Sequence, residues 1–316
     1  MGIRSLNKWI TWAAPDALVQ TNDFSHLCGK RVGIDILGFL YKANLDSEQP
    51  CMAIARQIAF WKSFGAEPVF VFDGKTPAEK QGTRSARKRQ KDRLPTEQQN
   101  HVTADDRNSV KRVLYATGCL FLNAEEEADS VLAYLARKGE IAAVVSGDLD
   151  FLPRGVPTLI VPGFGRSDHR SDHRSDHSWS VISLDKVLQQ SMLAYDSFVK
   201  MCVILGSDYS MSIPTISYQS AYWSFRFTNK TLDEILKKEG IRDLTTWWRA
   251  EQILRGETDI WVGILSDKQQ EKWIQGPSPI ESAALDEMFE DGLAALSPQE
   301  RQLLMQPMRQ QLTHPL

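Results

Sequence analysis

The sequence predicts an α/β fold built on a central, mostly parallel, twisted sheet flanked by helices. Three short apolar runs, rich in β-branched and aromatic residues, do not alternate with polar residues and therefore indicate strands buried on both faces. These runs occupy residues 31–36, 68–72 and 141–145. Stretches with helical spacing of apolar residues lie between them, at 53–64 and 128–137. Strand–helix–strand alternation favours a parallel, doubly wound sheet.

Each of the three predicted strands ends at an aspartate. Asp35 lies at the end of the first strand, Asp73 follows the second, and Asp148 and Asp150 follow the third. Ligands of open α/β sheets bind beyond the carboxyl ends of the strands. A single aspartate at such a place fits a helix cap equally well, but three coincident ones predict a functional site.

The predicted site gathers seven carboxylates. Asp148 and Asp150 are two residues apart and would point to the same side of an extended segment. Taken singly, each acid is explained as a solvated surface residue, but clustered carboxylates are costly unless cations neutralise them. Oxygen donors suit Mg²⁺ or Mn²⁺, and paired ions serve phosphodiester cleavage. The sequence therefore predicts a two-metal site with these candidate ligands: Asp35, Asp73, Glu127, Asp129, Asp148, Asp150 and Asp208.

The largest charge asymmetry lies between residues 75 and 93. The chain carries a net charge of −3, whereas this stretch holds eight basic residues against two acidic ones, so it is +6 and the remainder is −9. Lys80, Arg84, Arg87 and Lys91 recur at helical spacing and would form one basic face. Such a face can follow phosphates and stabilise developing charge. The alternative is a solvated basic helix or a nuclear-localisation signal.

Other features narrow the class of protein without assigning a function. The composition, 42% hydrophobic and 24% charged, is typical of a globular protein, and no apolar stretch of about 18 residues predicts a membrane span. The four cysteines are widely spaced and are expected to be buried free thiols. The repeat SDHRSDHRSDH at 167–177 could bind metal but is better explained as an exposed loop. The C-terminal tryptophans, Trp247, Trp248, Trp261 and Trp273, are expected to pack.

Six short motifs resemble, in order along the chain, those of the flap endonuclease/XPG family of structure-specific 5′ nucleases. They are Met1-Gly2-Ile3, Gly33-Ile34-Asp35, Val71-Phe72-Asp73-Gly74-Lys75, Glu127-Ala128-Asp129-Ser130, Gly147-Asp148-Leu149-Asp150 and Leu205-Gly206-Ser207-Asp208-Tyr209. The resemblance runs from residue 1 to about 210. It implies a PIN-like 5′ nuclease core at residues 1–225, divided into an N-terminal part (1–105), with a basic helical arch at about 74–100, and an internal part (106–225). A helical C-terminal region would follow at 226–316, its tail a candidate for disorder.

The resemblance also implies roles for individual residues. One metal ion would be held mainly by Asp35, Asp73, Glu127 and Asp129, and the other would lie nearer Asp148, Asp150 and Asp208. The implied catalytic residues are Asp35, Asp73, Glu127 and Asp148, together with Lys80 and Arg87 acting on the scissile phosphate. The implied nucleic-acid contacts are Gly2, Tyr41, Lys80, Arg84, Arg87, Lys88 and Lys91, with Tyr41 stacking on a base.

Two features depart from the family pattern. Relatives have a glycine-containing hairpin followed by basic residues, whereas residues 213–219 of this chain lack both glycines and the following charge. Glycine permits the close approach and positive φ angles that such hairpins use. The helix–turn–helix at about 205–225 is therefore expected to be degenerate. The segment from Asp73 to Glu127 is also short for the family, and no sliding-clamp motif is present.

The expected function is a metal-dependent 5′ nuclease for branched, flapped or gapped DNA, with endonuclease and 5′–3′ exonuclease activity both open. It would work as a monomer inside the cell, in the nucleus if the source is eukaryotic. One alternative is a PIN-like ribonuclease or a 5′–3′ exonuclease acting on single-stranded RNA or DNA. A nuclease-dead scaffold disagrees with seven acidic positions, and a small-molecule phosphatase would have little use for the basic helix.

Overall fold

The computed structural model describes residues 2–80, 102–162, 179–228, 230–257 and 296–305. Several sequence predictions fall outside these ranges and stay predictions. They concern the basic residues Arg84, Arg87, Lys88 and Lys91, the repeat at 167–177, Trp261, Trp273 and the C-terminal tail.

The described residues form one mixed sheet of seven strands in the order β1-β7-β6-β5-β2-β3-β4. The five strands from β6 to β4 are mutually parallel. At one side β7 pairs antiparallel with β6, and β1 pairs antiparallel with β7. The predicted mostly parallel sheet is thus confirmed. The strands are β1 (Leu18–Thr21), β2 (Arg31–Asp35), β3 (Glu67–Phe72), β4 (Leu120–Asn123), β5 (Ala143–Val145), β6 (Thr158–Pro162) and β7 (Trp179–Ser183).

Eleven α-helices surround the sheet in the described part of the chain. They are α1 (Leu6–Ala13), α2 (Ile36–Leu45), α3 (Pro50–Ser63), α4 (Ala104–Ala116), α5 (Ala128–Arg137), α6 (Leu184–Ser191), α7 (Tyr195–Leu205), α8 (Tyr218–Phe227), α9 (Leu232–Lys238), α10 (Thr245–Leu254) and α11 (Pro298–Met305). Short 3₁₀ turns include Ala78–Lys80 and Leu149–Phe151. The strand predicted at 141–145 is shorter than expected and begins at Ala143, and the helix predicted at 53–64 begins earlier, at Pro50.

The sheet separates two hydrophobic clusters. Successive strand residues point to opposite faces, so Val71 and Val144 belong to one cluster, while Phe70 and Val145 belong to the other. The first cluster contains residues of α1 and α5–α10, and the second contains residues of α2–α4 and α11. Helices α9 and α10 therefore share a core with the nuclease-like region, and the expected boundary at residue 225 stays a prediction.

Helix ends follow ordinary capping chemistry. Helix α4 begins at a capping box, in which the Thr103 side chain accepts from the Asp106 N–H and the Asp106 carboxylate accepts from the Thr103 N–H. The Asp35 carboxylate accepts from the Leu37 N–H and so caps α2. One aspartate therefore serves both a helix cap and the strand-end cluster, the two roles that the sequence left open for it.

Three side chains differ from expectation in their exposure. Cys119 and Cys202 are buried free thiols as expected, but Cys28 is exposed and Cys51 is half-buried. Trp247 is buried, whereas Trp248 is 48% exposed and donates its indole N–H to Asp233. Within the described ranges, no helix is both long enough and apolar enough to cross a membrane.

Candidate active site

The sheet topology brings the three strand-end aspartates to one edge. Strands β5, β2 and β3 are adjacent and parallel, so Asp35 at the end of β2 lies between the segments that follow β3 and β5. Asp73 directly follows β3, and Asp148 follows β5 after Ser146 and Gly147. The Ser146 hydroxyl donates to Asp35 Oδ2 at 2.8 Å and accepts from the Asp148 N–H at 3.1 Å. This serine joins two of the three strand ends.

A tight backbone approach brings Glu127 and Asp129 to Asp73. The Gly74 N–H donates to the Glu126 carbonyl at 2.6 Å, and the Asp73 Oδ1 accepts from the Ala128 N–H at 2.9 Å. A Cβ at Gly74 would lie 2.1 Å from the Ala124 carbonyl oxygen, so glycine is required there. Helix α5 therefore begins beside Asp73, and its first turn carries Asp129.

The N-terminal segment closes another side of the cluster. A Cβ at Gly2 would lie 2.1 Å from Asp148 Oδ1 and 2.8 Å from Asp150 Oδ1, and Gly2 has a φ of +115°. The Gly2 backbone is therefore in direct contact with this pair of acids. The Asp150 N–H donates to Asp148 Oδ1 at 3.0 Å, so the pair is also linked internally.

A lysine lies among the remaining acids. Lys80 Nζ is 2.6 Å from Glu127 Oε1, 3.5 Å from Asp208 Oδ2 and 4.0 Å from Asp129 Oδ2. These side chains are only 11–16% exposed. Asp208 follows the end of α7, where Gly206 has a φ of +94° and its carbonyl accepts from the Arg4 N–H. The structure thus brings all seven predicted carboxylates into one region.

The buried side chain of Arg154, which the sequence did not indicate as a site residue, contacts residues of this cluster. The Arg154 side chain is 1% exposed; its guanidinium donates to Ser130 Oγ at 3.0 Å and to the Tyr209 hydroxyl at 2.8 Å. The Tyr209 hydroxyl in turn donates to Glu127 Oε2, which lies 3.7 Å from Arg154 Nη2. The sequence signal that could have indicated Arg154 is a single charged residue directly after the apolar stretch Phe151-Leu152-Pro153, four positions beyond Asp150.

Burial and mutual repulsion raise the pKa of the clustered acids. Burial, reinforced by Asp73, raises the pKa of Asp35 to about 7, and burial with Asp150 raises that of Asp148 to about 8. The pKa of Asp150 rises to about 6, mainly through burial and then through Asp208. Burial also raises the pKa of Asp73 and of Asp129. At neutral pH, Asp35 and Asp148 would therefore be partly protonated unless a bound cation favoured their ionised forms.

The neighbouring acids keep Lys80 protonated. Burial alone would lower the pKa of Lys80, but Asp129 and Glu127 raise it above its ordinary value. Burial likewise raises the pKa of the Tyr209 hydroxyl, so this group stays a hydrogen-bond donor. Lys80 is therefore a fixed positive charge inside an acidic site.

The donor set fits hard divalent cations. Asp150 Oδ1 is buried and has no hydrogen-bond partner among the described residues, although carboxylate oxygens are normally satisfied. Among the same residues, no group of three or more His, Cys, Asp or Glu side chains is already arranged so that it could hold a metal ion. Mg²⁺ typically takes one or two carboxylates and keeps several waters, so an open set of oxygen donors suits it.

The other sequence predictions concern Tyr41, the hairpin at 213–219 and the basic residues. Tyr41 lies on α2, half-buried and six residues beyond Asp35. Residues 213–219, expected to form a degenerate hairpin, lead from the Asp208 segment into α8, and Ile213 is buried there. Of the predicted basic contacts, Lys80 alone falls within the described residues.

Two family models match the chain: the XPG N-terminal domain over residues 1–94 and the XPG I-region over residues 118–208. The chain is 28% identical over 268 residues to flap endonuclease 1 of Mus musculus, covering 75% of this chain and 69% of the relative. It is 30% identical over 253 residues to flap endonuclease 1 of Talaromyces marneffei, covering 70% and 62%.

Solved structures share the fold at lower sequence identity. The catalytic core of Rad2 in complex with DNA substrate matches with a TM-score of 0.63 and 17% identity, over 96% of this chain and 99% of that one. Flap endonuclease-1 from Methanococcus jannaschii matches with a TM-score of 0.57 and 18% identity, over 92% and 97%. Both likenesses extend over nearly the whole of each chain.

Proposed function

This chain belongs to the flap endonuclease/XPG family of structure-specific 5′ nucleases, and we propose that it hydrolyses phosphodiester bonds in branched, flapped or gapped DNA. The observation that carries the proposal is the convergence of Asp35, Asp73 and Asp148 at one edge of the sheet. The DNA named with the Rad2 structure, and the flap endonucleases among the relatives, support the same substrate class. Members of this family depend on divalent metal ions.

We assign the acids to two groups of metal ligands. Asp35, Asp73, Glu127 and Asp129 would hold one cation, and Asp148, Asp150 and Asp208 would hold the second. When bound, two Mg²⁺ or Mn²⁺ ions would lower the pKa of the attacking water and neutralise charge at the leaving oxygen. Ser146 would help to position Asp35 and Asp148, since it contacts the Asp35 carboxylate and the Asp148 N–H. Gly2 would do the same for Asp148 and Asp150, whose carboxylates lie against its backbone.

Lys80 is the described cation that is best placed to meet the scissile phosphate. Its ammonium group lies within 4.0 Å of three candidate ligands, so a phosphate bound beside these carboxylates would lie within its reach. A positive charge fixed there stabilises the negative charge that develops on phosphoryl oxygens in the transition state. Arg87 is proposed for the same role, and Arg84, Lys88 and Lys91 for contacts with neighbouring phosphates.

A variant series tests the metal assignment. Asp148→Ala should abolish cleavage of a 5′-flapped DNA in Mg²⁺ while the circular dichroism spectrum stays that of the wild type. Asp185→Ala is the matched control, because Asp185 is exposed on α6. Cleavage should leave 5′-phosphate and 3′-hydroxyl ends and should stop in EDTA. Full activity of Asp148→Ala, or full activity in EDTA, would contradict the assignment.

A substrate panel at fixed salt tests the substrate class. Matched flapped DNA, single-stranded DNA and single-stranded RNA should be compared at equal concentration, and the flapped DNA should be cut with the highest kcat/KM. Preference for single-stranded RNA or DNA would instead favour the ribonuclease or exonuclease alternative, which the missing hairpin glycines support. We also propose that the protein acts as a monomer inside the cell, in the nucleus if its source is eukaryotic.

A further inference from the structure

An exposed aromatic patch lies on helices α1 and α8. Trp12 of α1 is 44% exposed, and Trp223 and Phe227 of α8 are 45% and 66% exposed. Tyr218 contacts the same group through the Trp12 ring. Single exposed apolar residues are ordinary, but contiguous ones mark binding surfaces. We call Trp12, Tyr218, Trp223 and Phe227 the aromatic patch.

The patch is held rigid by buried contacts beneath it. Trp12 meets Trp223 edge-on, with ring centroids 5.9 Å apart and planes at 83°, and Trp223 stacks on Phe227 at 5.0 Å and 24°. Both indoles rest on Tyr222, which is 7% exposed and donates its hydroxyl to the Ser191 carbonyl at 3.0 Å. The exposed ring faces are therefore ordered without a ligand, which lowers the entropy cost of binding one.

The charges around the patch favour an anionic ligand. Helices α1 (LNKWITWA) and α8 (YQSAYWSFRF) each contain one basic residue and no acidic residue, although the chain as a whole carries −3. The Arg226 guanidinium lies 5.0 Å from the Phe227 ring centroid. Lys8 precedes Trp12 by four residues and so lies on the same side of α1. Two cations therefore border an apolar surface.

The patch is connected to the candidate active site by a short, rigid path. The Gly2 backbone contacts Asp148 and Asp150, and Arg4 donates from its backbone to Gly206 and from its side chain to Ser212. Helix α1 follows at once, and its rise from Leu6 to Trp12 is about 9 Å. A few nucleotides, at about 3.4 Å per stacked base, would cover the helical part of this path.

We propose that the aromatic patch is a second nucleic-acid contact, which stacks unpaired bases of a strand held at the carboxylates. Unpaired bases offer their π-faces to Trp12, Trp223 and Phe227, whereas duplex bases are already stacked on one another. Lys8 and Arg226 would meet the phosphates of the same strand. This inference rests on the proposed function and assigns the patch to single-stranded parts of a branched substrate.

Binding measured without cleavage tests the proposal. Fluorescence anisotropy in EDTA should compare a blunt duplex with the same duplex carrying a tail of about eight thymidines, a length that single-strand sites commonly cover. Trp223→Ala should weaken binding of the tailed duplex roughly 5- to 150-fold, the range measured for base–aromatic stacking, and leave the blunt duplex unaffected. Trp248→Ala is the matched control, since Trp248 is 48% exposed on α10, outside the patch. Trp248→Ala should bind as the wild type.

Two further measurements separate stacking from charge and from misfolding. Trp223→Phe keeps an aromatic face and should retain most of the affinity for the tail. Lys8→Ala should reduce the slope of log affinity against log salt by about one, whereas Trp223→Ala should leave that slope unchanged. Equal loss in Trp223→Phe and Trp223→Ala would overturn the stacking assignment.

The remaining outcomes distinguish this proposal from the function on which it rests. If the wild type cuts flapped DNA but Trp12→Ala and Trp223→Ala bind the tailed duplex normally, the patch proposal fails and the nuclease function stands. A change of oligomeric state in these variants would show that a second copy covers the patch and would overturn the proposal. A wild type that neither binds nor cuts nucleic acid would overturn both.

Discussion

Removing the charge of Asp150 should stabilise the metal-free protein. The side chain is 2% exposed, its Oδ1 has no hydrogen-bond partner among the described residues, and burial with Asp208 raises its pKa from 3.8 to about 6. At about 1.4 kcal/mol per pH unit, holding this group ionised at pH 7 costs roughly 3 kcal/mol. Asp150→Asn removes that cost, so its free energy of unfolding in EDTA at pH 7 should exceed that of the wild type by about 1–3 kcal/mol.

The sign of the pH dependence follows from the direction of the shift. Because the folded-state pKa of Asp150 is raised, the native state binds its proton more tightly than the unfolded state does. The stability that Asp150 contributes is complete below about pH 4 and is lost as the pH rises through about 6. Asp35 and Asp148, with pKa values of about 7 and 8, extend the same loss to about pH 8. Bound cations should reverse it, by about 2.7 kcal/mol at a concentration of 100 Kd.

Urea unfolding between pH 4 and pH 8, with EDTA and with Mg²⁺, measures both effects. The difference between the wild type and Asp150→Asn isolates this group from acids whose pKa is lowered, such as Glu79. Asp185→Asn should behave as the wild type throughout, because Asp185 is exposed. The reasoning is refuted if Asp150→Asn is less stable than the wild type in EDTA at pH 7. It is also refuted if Mg²⁺ stabilises both proteins equally.

Two further predictions concern residues around the cluster. Gly2→Ala places a Cβ 2.1 Å from Asp148 Oδ1 and strains a φ of +115°, so cleavage should slow by about 10- to 100-fold. Gly38→Ala is the control, because there is open space around its Cβ, and it should cut DNA as the wild type does. Arg249 donates twice to Glu79, the residue before Lys80, at 3.0 and 2.8 Å. Arg249→Ala should lower kcat about two- to fivefold with little change in stability, because a half-exposed ion pair contributes at most about 1 kcal/mol. An unchanged kcat would exclude this positioning role.

The strand-end aspartates were predictable because their signal is local. A short buried strand has a continuous run of apolar residues. The first polar residue after that run marks the end of the strand, as Asp35 and Asp73 do. Strand β1 was missed because its sequence, LVQT, holds only two consecutive apolar residues. Strand β4 does carry a short apolar run, Leu120-Phe121-Leu122, but it lies at the edge of the sheet and its residues are half-exposed or exposed. Strand β6 carries a continuous run, in Leu159, Ile160 and Val161, and fits the expectation that the repeat at 167–177 connects two strands.

The supporting contacts of the site could not be predicted, because they depend on the tertiary path of the chain. Nothing local in the sequence of Arg154 indicates that it meets Ser130 and Tyr209, which lie 24 and 55 residues away. The position of Lys80 depends on the backbone pairing of Gly74 with Glu126, which directs the chain back across the acids after β3. Spacing predicted a basic face for the helix that would contain Lys80, but not that its ammonium group lies between Glu127 and Asp208.

The two cationic side chains at the site, Arg154 and Lys80, differ in how deeply they are buried and in how they are held. The Arg154 guanidinium is completely enclosed and shared among Ser130, Tyr209 and Glu127, so it is part of the folded core. The Lys80 side chain is 15% exposed and touches the acids from the outer side, on a single 3₁₀ turn. Cations that enter the cluster would therefore compete with Lys80 for Glu127 and Asp208 and leave Arg154 in place. If cations displaced Lys80 from these carboxylates, its ammonium group would be free to contact the substrate phosphate.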